Sequence, residues 1–176
     1  DAGFIAWGIT FMGNSLLAVV DNTSDLAVYD NFLTAFSADG AITPTKRITV
    51  EGIVRTHGID YSEADDVLVM TDIGDAADAN TDGGFQITQD FAAKLAAIND
   101  GGSLALSEQT RVAGSLTEMG NPIDVAYDHK TKTVFIAEIG NGKVLSFSDA
   151  LNASGNVAPA VSNDLASAAS IYLYNN

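Results

Sequence analysis

The chain has 176 residues, enough for one domain with a sizeable core, and 47% of them are hydrophobic, which excludes a disordered polymer. Twenty-three acidic residues against eight basic ones give a net charge of −15. Such a surface repels phosphate, which argues against nucleic acid and anionic membranes as partners and suits cations or a salty medium.

The chain contains no cysteine, so disulfides and thiolate metal sites are excluded, and two distant histidines give no zinc set. The longest apolar run, residues 16–20, is far too short to cross a bilayer. No leader is visible, and a start at Asp1 rather than methionine leads us to expect a removed leader or a longer preceding segment. The expected location is extracellular or periplasmic.

The elements fall into three repeats. The first opens with Gly8, Ile9, Thr10 and Phe11, turns at Gly13 and Asn14, and continues into the apolar run 16–20 closed by Asp21. The second opens with Gly58, Ile59, Asp60 and Tyr61 and continues through 67–71 to Asp72. The third opens with Asp124, Val125, Ala126 and Tyr127, turns at 128–130, and continues through 134–137 to Glu138. Each is a short strand ending in an aromatic, a tight turn, an apolar strand and a terminal carboxylate. Residues 26–32, 85–91 and 144–151 align as third strands. Residues 46–50, 110–113 and, more weakly, 158–162 align as fourth strands.

The second strand of each repeat does not alternate apolar with polar residues. A strand apolar on successive positions needs cover on both faces, and neighbouring blades of a β-propeller supply it. The predicted fold is therefore all-β: four-stranded antiparallel blades forming part of a six- or seven-bladed propeller. The blade units span about 4–52, 53–115 and 120–163, and a final strand at 170–174 resembles the start of a fourth unit. Residues 89–99 also carry a helical pattern, with Phe91, Leu95 and Ile98 on one side. Their alignment with 28–32 favours strand followed by loop.

Fifty-one positions separate Asp21 from Asp72, and 66 separate Asp72 from Glu138. The excess falls in turns at 75–84 and 99–107, where insertions are tolerated.

His57, Gly58, Ile59 and Asp60 with Met70, Thr71 and Asp72 resemble the six-bladed propellers of the NHL-repeat and SMP-30/gluconolactonase type, as do residues 121–126 with 136–144. The resemblance implies architecture more than activity, because such propellers host many functions. In lactonase-type relatives acidic and Asn side chains hold a divalent ion at the channel. Those ligands have no one-for-one match in this sequence.

Three blades make about half a ring. A blade face measures about 17 by 19 Å, so two bare faces would expose roughly 600 Å² of mainly apolar surface. The expected cover is a missing N-terminal portion, a second copy, or a neighbouring subunit.

Two candidate sites stand out. Asp78, Asn80 and Asp82, followed by Gly83, fit the start of a D-x-[DN]-x-[DN]-G calcium loop, with Asp72 and Asp75 upstream as added ligands. The twelfth position is Gln89 rather than a bidentate Glu, so an acidic surface turn is the alternative. The second candidate is an axial mouth ringed by Asp21, Asp72 and Glu138, with Trp7 and His57 beside it. There the alternative is that each acid accepts hydrogen bonds from its own turn, and that Trp7 and His57 simply pack. The chain carries no serine-triad arrangement and no phosphate loop. The leading reading is a secreted, non-catalytic propeller acting in binding or assembly, with calcium as the expected stabilising ion. The alternatives are a metal-dependent lactonase-like hydrolase and a structural subunit of an extracellular assembly.

Overall fold

In the computed structural model, which describes residues 1–75, 77–78 and 82–174, three antiparallel sheets stand side by side as propeller-like blades. Blade I contains β1 (Ala6–Met12), β2 (Ser15–Val20), β3 (Asp25–Tyr29) and β4 (Lys46–Val50). Blade II contains β5 (Thr56–Ser62), β6 (Val67–Asp72) and β7 (Gly84–Gln89). The chain then forms β8 (Ser103–Leu104), which pairs parallel with β4, and returns to complete blade II with β9 (Thr110–Ala113). Blade III contains β10 (Pro122–Asp128), β11 (Thr133–Glu138), β12 (Lys143–Phe147) and β13 (Val161–Asp164). Strands β1, β5 and β10 are the inner strands, packed against one another along the shared axis.

Strand β6 shows why the second strands are apolar throughout. Leu68 and Met70 enter the core between blades I and II, while Val67 and Val69 enter the core between blades II and III. A strand has a side-chain period of two, so only cover on both faces accommodates four successive apolar residues. The pattern repeats on β2, whose Leu17 and Val19 face blade II. Its Leu16, Ala18 and Val20 face outward, against Ala2, Phe4, Phe32, Phe36 and Ile42.

That last cluster alters one expectation. The outward face of blade I is covered by the chain's own N-terminal residues and by α1 (Phe32–Ala35) with the segment after it. The outward face of blade III has less cover: Phe135 and Val144 are half-buried and Val161 is exposed.

Three elements differ from the sequence reading. Residues 89–99 are not strand and loop: α2 (Phe91–Ala97) forms there, burying Phe91 and Leu95 in the core between blades I and II. The reason is a tertiary cap. The Asp66 carbonyl accepts the Phe91 N–H at 3.2 Å, and the Asp66 carboxylate accepts the Ala92 N–H at 2.9 Å. The alignment itself survives, because Asn31, Asp90 and Asp149 each adopt a left-handed conformation, with φ of 50°, 52° and 51°. Asn and Asp tolerate that conformation best among non-glycine residues, and it ends the third strand in every unit. Second, the fourth strand of blade III is Val161–Asp164, displaced from 158–162. Third, residues 170–174 form no strand, since no sheet partner lies beside them among the described residues.

Candidate axial site

Each inner strand carries a register shift against its partner at the same place: between Ala6 and Ile9, between Thr56 and Ile59, and between Pro122 and Asp124. Such bulges bend a strand and re-aim side chains. Here they sit where the inner strands crowd the axis. Gly58 meets the next blade there: a Cβ added to it would stand 2.6 Å from the Asp124 Cα, so only glycine fits.

The three expected mouth carboxylates do not form an open ring. Asp72 is fully buried. Its Oδ1 accepts the N–H groups of Val54, Arg55 and Gly74, each at 3.0 Å, and its Oδ2 pairs with Arg111 at 2.8 Å. Glu138 is also fully buried and accepts N–H groups from Gly120, Asn121, Gly140 and Asn141. In both, the carboxylate ties the end of the second strand to the loop entering the inner strand. Asp21 differs: it pairs with Arg55 of the next blade at 2.8 Å and accepts the Asn22 N–H at 2.7 Å. Burial pushes its carboxyl up, but the Arg55 and Asn22 hydrogen bonds outweigh that and hold it below the usual range.

His57 and Trp7 do come together. Their rings stack at 4.1 Å with 13° between planes. His57 is buried, and its Nε2 lies 3.4 Å from Asp21 Oδ1. Burial first, and the Arg55 charge second, push the imidazole below its ordinary value, against the opposing pull of Asp21. Trp7, Asp21, Arg55 and His57 thus form one cluster at the blade I–II junction, away from Glu138.

The calcium loop is seen in part, because Asn80 lies outside the described residues. Asp82 Oδ2 accepts the Asp75 N–H at 2.6 Å, and Asp75 Oδ1 accepts the Ala77 N–H at 2.9 Å. The Asp78 N–H donates to the Asp75 carbonyl at 2.8 Å. Asp72 is committed to Arg111 and to three backbone donors. Among the described residues no three His, Cys, Asp or Glu side chains converge on a point that would hold a metal ion.

The feature that sequence reasoning missed is an axial cleft of about 260 Å³, lined by Thr10, Asp60, Asp124 and Ala126 of the inner strands and by residues 171–173. Asp60 Oδ2 accepts the Tyr127 N–H at 2.7 Å, and Asp124 Oδ2 accepts the Ile171 N–H at 3.0 Å. Burial pushes both carboxyls up against these hydrogen bonds, and the Asp124 charge adds to the rise at Asp60. The available signal was a carboxylate inside an apolar inner strand, at Ile59-Asp60-Tyr61 and at Ile123-Asp124-Val125. No helix among the described residues is long and apolar enough to cross a membrane.

No protein-family model matches the chain, and no curated protein sequence matches it. Among solved structures, the crystal structure of the computationally designed protein Ika8 superposes with a TM-score of 0.53 at 10% identity, over 97% of this chain and 41% of the designed one. A nidogen–laminin complex structure gives a TM-score of 0.37 at 11% identity, over 89% of this chain and 62% of that one. The chain therefore spans less than two thirds of either structure's matched chain. What it shares with Ika8 at this identity is fold alone, and that fold is all-β and built of propeller-like blades.

Proposed function

We propose that this chain is a non-catalytic propeller segment that works by binding or assembly at its inner strands, in the architectural style of NHL-repeat and SMP-30-like propellers. The observation that carries the reading is the bare row on β1: Trp7, Ile9 and Phe11 are 48%, 59% and 45% exposed. Aligned apolar residues on one strand, open to water beside an axial cleft, are what an interaction surface leaves uncovered in the free molecule. An extracellular or periplasmic setting suits the acidic composition. Calcium at the 75–83 loop belongs to the proposal on its sequence pattern alone, and titration calorimetry with calcium tests it: absence of heat removes it.

Trp7 is the single tryptophan, so its emission reports on this surface. The test is sedimentation of labelled chain, alone and added to extract of its native source, with Trp7 emission followed on the purified complex. Association with a blue shift, lost in Ile9→Ser, is expected. A chain that remains a monomer with water-exposed Trp7 in both settings overturns the reading.

One observation favours a hydrolytic alternative: the axial cleft brings two carboxyls, Asp60 and Asp124, to one wall, and burial raises the proton affinity of both. Lactone or phosphotriester turnover that disappears in both Asp60→Asn and Asp124→Asn would establish it.

A further inference from the structure

The connection between third and fourth strands reaches back to the preceding blade in two successive units. In blade II it spans residues 90–109 and meets the outer edge of blade I, where β8 pairs parallel with β4. The Gly101 N–H donates to the Arg47 carbonyl at 2.8 Å. The Asp100 carboxylate accepts the Arg47 N–H at 2.8 Å, and the Gly102 and Leu104 carbonyls accept the N–H groups of Thr49 and Glu51 at 3.0 and 3.1 Å. In blade III the connection spans residues 148–160 and meets the outer edge of blade II, where Gly155 forms a parallel bridge with Val112. The Gly155 N–H donates to the Arg111 carbonyl at 2.8 Å, and the Gly155 carbonyl accepts the Ala113 N–H at 3.1 Å.

Register makes these contacts equivalent. Ile9, Ala18, Ala27 and Arg47 lie opposite one another across blade I, and Ile59, Met70, Gln86 and Arg111 do so across blade II. Gly101 and Gly155 therefore donate to the same position of successive fourth strands. Both adopt positive φ, 77° and 69°. A Cβ on either would meet nothing within 4 Å, so glycine serves the backbone conformation there and not close packing. What each connection covers is the hydrogen-bonding edge of a strand, which otherwise templates pairing with another chain. Strand β4 is suited to such pairing. Ile48, Thr49 and Val50 are strong strand formers, and Lys46 and Arg47 are two of eight basic residues in a chain of net charge −15, which attracts a second copy.

We infer that the β4 edge is a strand-pairing site held closed by residues 100–104, and that with this guard withdrawn it takes an extended strand from a second copy of the chain. Asp100 fixes where the guard begins, Gly101 turns its N–H onto β4, and Leu104, buried in the core between blades I and II, anchors its end. Backbone pairing supplies the affinity, as in strand addition to an open sheet edge. Gly155 guards β9 in the same manner. The site is separate from the Trp7 row, because β2 and β3 lie between β1 and β4 in the sheet.

Asp100→Ala removes the acceptor of the Arg47 N–H. Adding Gly101→Pro deletes the donor to the Arg47 carbonyl and sets φ near −65°, against 77° in the guard. Both variants are compared with the parent by sedimentation and by hydrogen exchange read with mass spectrometry. Exchange at 47–51 is expected to rise by about tenfold or more in the double variant. That variant should form concentration-dependent oligomers, with Asp100→Ala between it and the parent. Adding Thr49→Pro, which deletes an edge donor, should restore the parent's sedimentation. A millimolar synthetic peptide of residues 98–105 should do the same, whereas adding Ile9→Ser should leave the oligomers unchanged. Where the double variant also loses exchange protection across β1–β3, Asp100→Ala alone decides by the same readings. Unchanged exchange at 47–51, or faster exchange without new association, overturns the inference. So does association that survives Thr49→Pro or the peptide, or that Ile9→Ser abolishes.

Discussion

Asp60 on β5 accepts the backbone N–H of Tyr127 on β10 at 2.7 Å, joining two blades that share no strand pairing. The bond holds a carboxylate in a crowded axial position where burial, and then the Asp124 charge, favour its protonated form.

The sign of the consequence follows by linkage. A carboxyl whose folded value is raised binds its proton more tightly in the folded state, so its contribution is full below the unfolded value and is lost as pH rises through the folded one. Asp60→Asn keeps an oxygen acceptor and removes the titration. The variant is expected to gain melting temperature over the parent as pH rises from about 4 to 7. Calorimetric scans across that range check it, and a constant or shrinking difference contradicts it.

Asp72 contributes through the donors it satisfies. Its carboxylate satisfies three backbone donors and Arg111. Asp72→Ala removes the shared acceptor of three backbone N–H groups and the carboxylate partner of Arg111, which keeps only the Gly52 carbonyl, and the expected loss is about 3–5 kcal/mol. Urea unfolding at neutral pH measures it. Glu138→Ala, which strips four donors in blade III, should fall in the same range.

The two faces of β6 provide a test of the blade arrangement itself. Leu68→Ala opens a hole between blades I and II and should cost about 2–5 kcal/mol. Val69→Ala opens one between blades II and III and should cost roughly 2 kcal/mol. A strand with one wet side would lose stability from only one of the two substitutions.

Trp7 stacked on His57 makes the imidazole visible by fluorescence. Burial and Arg55 depress its proton affinity, so the stability it carries is complete above the ordinary histidine value and declines as pH falls below it. Trp7 emission should change with a midpoint below 6.5, and the transition should vanish in His57→Gln. Asp21→Asn should move the midpoint further down, since the Asp21 charge opposes the depression.

Residue type alone determined the blades of this protein. Four successive apolar residues such as 67–70 have to be buried from both sides whatever surrounds them, and the repeated aromatic–turn–apolar–carboxylate pattern set the units. Contacts distant in sequence decided the rest. Helix α2 exists because Asp66, 25 positions before Phe91, caps it and the inter-blade core receives Phe91 and Leu95. Residues 170–174 have the residues of an inner strand but form none, because a strand needs a neighbour to bond. Asp72 and Glu138 read in sequence either as an open mouth or, with the local turn role favoured, as turn acceptors; the backbone amides folded around them make them acceptors. The axial pairing of Asp60 with Tyr127 spans 67 positions, and no local pattern encodes a contact that exists only once the blades fan around their axis.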